Sequence, residues 1–159
     1  MVETESGATI RVICGEAEGV RGPVDDISIN PEYLDVTLKP GSVFTREVPD
    51  GNTLFAYVFS GSIRAAQEGE NNSESRDGLL PGAVFYGRNR YGYIRKEQLA
   101  LFSDKGKTSI EAGEEGARFL LVSGKPLKEP VAWYGPIVMN TDEEIRRALA
   151  DLKNGTFIR

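Results

Sequence analysis

Residues 54–63 read Leu-Phe-Ala-Tyr-Val-Phe-Ser-Gly-Ser-Ile, and this stretch decides which kind of fold the chain can form. Its first part, residues 54–59, is a continuous apolar run with aromatic residues, which is typical of a strand buried on both faces. Ser60-Gly61 then predicts a turn, after which residues 62–66 would pair back on the run. The stretch therefore predicts two adjacent strands of a well-covered sheet.

Short strand-like runs separated by turn residues continue on either side of this stretch. Residues 34–38 alternate between apolar and polar side chains, as a half-buried strand does. Residues 99–102, 108–110 and 118–122 add further runs, and breaks fall at dipeptides such as Pro40-Gly41. Many short strands at regular spacing predict an all-β sandwich or barrel.

One helix is predicted, at the C-terminus. Thr141 and Glu144 have the spacing of a capping box, and Gly155 supplies a helix stop. Four apolar residues then fall on one helical face: Ile145, Ala148, Leu149 and Leu152. That face needs cover, either from the β-structure or from another subunit.

Composition excludes several classes of protein. The 159 residues fit one domain, and the net charge of -5 disfavours nonspecific binding to nucleic acid or to an anionic membrane. Residues 85–96 interleave aromatic and basic residues, but the acidic chain favours a plain strand pair there over a base-stacking platform. One cysteine, no signal-type N-terminus and no membrane-spanning apolar run predict a cytoplasmic protein with no disulfide.

One glycine before the deciding stretch and one within it carry a family resemblance. Gly41 and Gly61 are similar to the two glycines of the first cupin motif, which enclose a His-x-His pair and a glutamate. The motif's spacing puts Glu47 and Pro49 at the histidine positions and Leu54 at the glutamate position. The resemblance therefore implies a cupin, a jelly-roll-like double-stranded β-barrel, whose metal ligands have been replaced.

Longer strings narrow the resemblance to the C-terminal cupin domain of pirins. The similar segments are residues 12–16, 19–24, 33–36, 119–126, 129–131, 134–141 and 143–145. They imply a flexible leader at 1–9, one cupin at 10–140 with an insertion at about 68–97, and a helix and tail at 141–159. Met1 and the acidic residues after it favour a cupin half that stands alone over a piece of a longer pirin.

The resemblance also implies which chemistry is absent. Family members hold iron in their N-terminal cupin through three histidines and a glutamate, and this sequence contains no histidine at all. No metal and no cofactor are therefore expected. Carboxylates such as Glu47 and Asp50 remain a weak alternative for a hard cation, and Cys14 is expected to be a small buried residue of the first strand.

Two functional hypotheses follow for such a cupin. In the first, it is a binding or assembly module that forms a homodimer or pairs with a separate pirin N-terminal-type cupin, with residues 134–140 and the final helix contributing. The predicted interface residues are Tyr134, Pro136, Val138 and Met139. In the second, it is a small-molecule enzyme of dioxygenase or isomerase type with a diverged pocket, lined by Tyr57, Arg64 and Trp133.

Overall fold

A computed structural model describes residues 1–4, 6–24, 29–66, 83–86, 92–102 and 106–158. They form two compact units, Met1–Pro126 and Leu127–Arg159. The strands of the first unit are β1 (Val2–Glu3), β2 (Ala8–Cys14), β3 (Glu16–Ala17), β4 (Val20–Arg21), β5 (Glu32–Leu38), β6 (Val43–Val48), β7 (Thr53–Ala66), β8 (Ala83–Tyr86), β9 (Ile94–Arg95), β10 (Leu99–Phe102) and β11 (Gly106–Gly124). The second unit contains β12 (Ala132–Tyr134), β13 (Ile137–Met139) and α1 (Asp142–Asn154).

The first unit is dominated by one antiparallel sheet. Its strand order is β1-β2-β5-β11-β7-β10-β8, with β6 also paired to β11 and β9 also paired to β7. Strands β3 and β4 form a separate small hairpin. The prediction of an all-β fold with a C-terminal helix is confirmed, although the hydrogen-bonded path through the described strands does not close into a ring.

The apolar core of the first unit follows from strand periodicity. In β2 the side chains of Ala8, Ile10, Val12 and Cys14 are buried and alternate with more exposed ones. The other core-facing strands contribute in the same way. The remaining large members of the core are Leu34, Val36, Leu38, Phe44, Val48, Leu54, Val58, Ile63, Ile94, Phe102, Ile110, Phe119 and Leu121.

The long strand β11 bends so that the sheet packs on itself. Phe44 pairs with Ile110 near the start of β11, and its ring lies 6.5 Å from the ring of Phe119, much further along the same strand. The stretch from Ile110 to Phe119 would span about 30 Å in a straight strand. The contact therefore requires a sharp bend, which coincides with the interruption of β11–β7 pairing between Ala112 and Ala117.

The predicted turn at Ser60-Gly61 is wrong. Residues 53–66 form a single strand, β7, and both of its halves pair with β11. Phe59 is the extra residue of a bulge, because Arg118 pairs with Ser60 while the next residue of β11 pairs with Val58. Gly61 has a φ of 69°, which suits a bulge as well as a turn. The pairing with β11 on both sides of Gly61 shows that the chain continues here instead of reversing.

The second unit is a β-hairpin packed on one helix. The capping box is confirmed, since the Thr141 hydroxyl accepts a hydrogen bond from the Glu144 backbone N–H and the Glu144 carboxylate accepts one from the Thr141 backbone. Gly155 ends the helix in the left-handed conformation. Of the predicted apolar face, Ile145, Ala148 and Leu149 pack against Ala132 and Ile137, whereas Leu152 is exposed.

The predicted segment boundaries differ in part from the structure. Two residues of the leader at 1–9, Val2 and Glu3, pair with Ile10 and Thr9. Within the insertion predicted at about 68–97, residues 83–86 and 94–95 are strands of the main sheet, and much of the rest lies outside the described residues. None of the helices in the described part of the chain has the length and apolar character that crossing a bilayer requires.

Candidate functional site

The three positions that replace the cupin ligands do not form a metal site. Alternation along β6 directs Phe44 and Val48 to the core and leaves Glu47 exposed on the opposite face. Pro49 is exposed at the turn after β6, and its side chain has no atom that could bind a metal. Leu54, which has an apolar side chain, is 1% exposed in the core. The residues at these positions therefore do not fit a bound iron.

Acidic residues and cysteine are the remaining side chains that could bind a metal ion. The described ranges contain no group of three such side chains close enough to hold an ion. Cys14 is buried in β2, as the sequence indicated. Asp50 is exposed and lies in the turn between β6 and β7.

The interior of the first unit is filled with apolar side chains. Phe44 and Phe119 meet edge to face in its centre. Among the described residues, the buried polar side chains are Ser109 and Ser123, and each bonds to a neighbouring polar side chain, Thr45 and Asn52 respectively. This interior therefore offers few of the converging polar groups that a small-molecule site uses.

Neither of the two predicted pocket residues of the first unit, Tyr57 and Arg64, belongs to its buried interior. Tyr57 lies on the face of β7 opposite the core, where its ring meets Phe59 edge to face at 5.5 Å. Arg64 is exposed beyond the bulge, where it bonds to Glu111 and lies 5.4 Å above the Tyr93 ring. Trp133 belongs to the second unit and is 76% exposed. Their role in ligand binding stays a prediction without support from these placements.

A polar depression that the sequence analysis did not predict lies beside the bend of β11. It has a volume of about 270 Å³. It is lined by Gly61, Ser62, Tyr93, Arg95, Gly113, Glu114 and Glu115. Both glutamates and Arg95 are exposed, so the depression is open to solvent. None of these three charged groups is buried at a position where it could hold a ligand.

The outward side of the main sheet carries a continuous apolar surface. Tyr57 pairs in register with Leu99 on β10 and with Leu120 on β11, and Phe55 pairs likewise with Leu101 and Val122. Directly opposed residues of antiparallel strands share a face, so these side chains adjoin one another. We call this surface the outer apolar face: Phe55, Tyr57, Phe59, Leu99, Leu101, Leu120 and Val122.

The exposure of the outer apolar face contrasts with that of the core side. The core-facing residues of β7, namely Leu54, Ala56 and Val58, are at most 1% exposed. Phe59 is 38% exposed, and the other members of the outer apolar face are half-buried. The apolar run at 54–59 was the signal for this surface, but it does not reveal the residues that β10 and β11 contribute.

A charged pair adjoins the outer apolar face. Arg118 donates from Nε and Nη2 to the two carboxylate oxygens of Asp35, over 3.0 Å and 2.8 Å. Its guanidinium also lies 5.8 Å above the Phe59 ring. The hydrogen bonds from Arg118 hold the pKa of Asp35 below its usual range, against the opposing effect of burial. Arg118 is therefore a fixed cation beside an aromatic surface.

The predicted interface residues lie on the hairpin of the second unit. Tyr134, Pro136 and Val138 are exposed, and Val138 pairs across the hairpin with the exposed Trp133. Met139 instead packs against the small core of this unit. Three of the four residues are thus accessible, and their place in an interface stays a prediction.

The antiparallel jelly-roll sheet around an apolar interior makes this protein a cupin. Residues 33–158 match the family described as the Pirin C-terminal cupin domain, so the chain belongs to the pirin family.

Related proteins and structures agree with this assignment. A Pseudomonas aeruginosa protein with the provisional name quercetin 2,3-dioxygenase is 34% identical over 98% of this chain and 48% of its own length. Human pirin is 31% identical over 95% of this chain and 45% of its own. A crystal structure of quercetin 2,3-dioxygenase from Acinetobacter baumannii superposes with a TM-score of 0.74 at 29% identity, covering 99% of this chain and 46% of that one. The chain thus spans about half the length of the curated relatives it matches.

Proposed function

We propose that this chain is a metal-free cupin that acts as an assembly module, and that a second copy of the chain covers its outer apolar face. The observation that carries the proposal is the two-sided apolar character of β7. The side chains on its core side are buried, while Phe55, Tyr57 and Phe59 on the other side are partly exposed to solvent. Apolar surface of this kind favours association.

The family resemblance supports a cupin as the occupant of this face. Pirins are two-cupin proteins, and this chain corresponds to about half the length of its curated relatives. In such a protein one cupin packs beside another. A second copy of this chain would supply an equivalent neighbour, in a twofold arrangement that buries the same surface on both copies.

The metal-free part of the proposal rests on the residues at the ligand positions. The sequence contains no histidine, and Leu54 occupies the core where the motif has its glutamate. Borderline metals such as iron and zinc rely on imidazole and thiolate ligands in open protein sites. Neither kind of ligand is available here beyond the single buried Cys14.

We expect the purified chain to sediment as a dimer at micromolar concentration. Burial of two outer apolar faces against each other provides the driving force. Sedimentation velocity over a dilution series measures the dissociation constant directly. A chain that remains strictly monomeric across the series would contradict the proposal.

The alternative function is a small-molecule enzyme, and the quercetin 2,3-dioxygenase names of the Pseudomonas and Acinetobacter proteins favour it. We expect protein purified without a polyhistidine tag to carry far less than one iron, copper or nickel per chain, because the ligand positions are Glu47, Pro49 and Leu54. Inductively coupled plasma mass spectrometry measures this content. Stoichiometric metal together with turnover of quercetin would favour the enzyme instead.

A further inference from the structure

We propose that Asp50 and Gly51 form a modification site, at which the main chain converts from an aspartyl to an isoaspartyl linkage without the help of an enzyme. This inference is independent of the proposed assembly function. The pair lies in the turn between β6 and β7, and both residues are exposed. Exposed turns are the parts of a fold where the backbone is most accessible to chemical change.

The conformation of this turn leaves the reacting nitrogen free. The Asn52 N–H donates to the Pro49 carbonyl oxygen over 3.1 Å, which closes the turn. Gly51 is the third residue of the turn and has a φ of 82°, as a type II turn requires. Among the described residues, the Gly51 N–H donates to no acceptor. It is therefore available to the side chain of the preceding residue.

The Asp50 carboxyl group is also unrestrained. It makes no hydrogen bond or ion pair with any other residue that the structure describes. Nothing outside the adjoining residues lies within 4 Å of the position that a Cβ on Gly51 would occupy. Gly51 itself has no side chain that could hinder the approach. The carboxyl group can therefore rotate onto the Gly51 nitrogen.

The reaction needs only these two residues and water. The Gly51 amide nitrogen attacks Cγ of the protonated Asp50 carboxyl group, so that the N–Cγ bond forms, the Cγ–OH bond breaks, and the hydroxyl leaves as water with the amide proton. Water then adds to the main-chain carbonyl carbon of the resulting succinimide. The bond from that carbon to nitrogen breaks, and the nitrogen takes a proton. The mass is unchanged, but the main chain now runs through Cγ and is longer by one methylene.

The added methylene falls where the turn joins the main sheet. Asn52 closes the turn through its N–H and donates from Nδ2 to Ser123 Oγ on β11 over 3.2 Å. Thr53 begins β7 directly after it. The isoaspartyl linkage therefore displaces the start of β7, and we expect the modified form to melt at a lower temperature than the parent.

The chain contains a matched comparison in Asn154-Gly155, at the end of α1. An asparagine before glycine forms the same succinimide with loss of ammonia, and this pair is exposed too. Here the Gly155 N–H is already bound, because it donates to the carbonyl oxygens of Asp151 and Leu152. The helix end must open before the nitrogen can attack.

The test uses Asp50→Asn, which makes the two pairs chemically identical. We expect position 50 to deamidate roughly fivefold or more faster than Asn154, since breaking the bonds at Gly155 adds to the barrier there. Mass spectrometry of tryptic peptides 47–64 and 154–159 measures both rates over an incubation at neutral pH. In denaturant both amides are free, so the difference should largely disappear. Equal rates in the folded protein, or a difference that persists in denaturant, would overturn the role of the turn.

The parent chain tests the modification itself. We expect isoaspartate to accumulate in peptide 47–64, where a protein isoaspartyl methyltransferase with S-adenosylmethionine labels it. Asp77-Gly78, which lies outside the described residues, falls in a different peptide. Asp50→Glu keeps the charge but would have to close a six-membered ring, so labelling of its peptide should vanish while the circular dichroism spectrum stays the same. Labelling that is absent from the aged parent, or equal in Asp50→Glu, would overturn the inference, whatever the oligomeric state.

Discussion

Replacing Gly61 by alanine is expected to destabilise the first unit by more than about 3 kcal/mol, or to prevent its folding. A Cβ at this position would lie 2.0 Å from the carbonyl oxygen of Gly116, 2.9 Å from its carbonyl carbon and 3.1 Å from Ala117 Cα. All three atoms are backbone, so the clash is relieved by moving β7 and β11 apart at their crossing. The φ of 69° adds strain of about 1 kcal/mol for any residue with a Cβ.

Gly41→Ala is the matched control for this substitution. Gly41 has nearly the same φ of 68°, but nothing lies within 4 Å of its Cβ position. We therefore expect a loss of about 1 kcal/mol from backbone strain alone. Thermal unfolding followed by circular dichroism separates the two variants, with Gly61→Ala melting lower than the parent by about 10 °C or more. Equal melting temperatures for both variants would refute the packing argument at the bend.

Tyr57→Glu is expected to convert the proposed dimer to monomer, raising its dissociation constant about 100-fold or more. Tyr57 lies in the middle of the outer apolar face, between Leu99 and Leu120. A carboxylate buried there would lose its hydration without gaining an ionic partner. In the monomer the same side chain is half-exposed, so the fold tolerates the change. Sedimentation velocity measures the loss of the dimer, and a thermal melt measures the stability of the monomer fold separately.

Val43→Glu provides the comparison for this variant. Val43 is an exposed apolar residue, 38% accessible, and lies on β6 outside the outer apolar face. We expect its dissociation constant to stay within about threefold of the parent, because the charge remains in water. If both glutamate variants weakened the dimer equally, the contact surface would have to lie elsewhere.

The sequence predicted those features that depend on local chemistry. The helix was recognisable because Thr141, Glu144 and Gly155 each satisfy backbone groups within a few residues of themselves. The burial of Cys14 followed from its place in an apolar run. Both depend on neighbours in the chain, so a single sequence contains the necessary information.

Features that depend on distant strands were harder to predict. A glycine with positive φ suits both a tight turn and a bulge, and the pairing of both halves of β7 with β11 decides between them. The outer apolar face joins residues of β7, β10 and β11, so its extent follows from register alone. The same applies to Arg118, whose partners Asp35 and Phe59 belong to two other strands.

The pairing of β7 with β11 also determines how the chain reaches its folded state. The two central strands occupy residues 53–66 and 106–124, so folding must bring together segments that are far apart in sequence. All-β topologies with such nonlocal contacts fold in milliseconds to seconds. Loop closure becomes costlier only logarithmically with length, by about 0.6 kcal/mol for each doubling. A greater separation of the two strands in sequence therefore adds little to the cost of closing the loop, whereas β8, β9 and β10 lie within the intervening stretch and must keep their pairing.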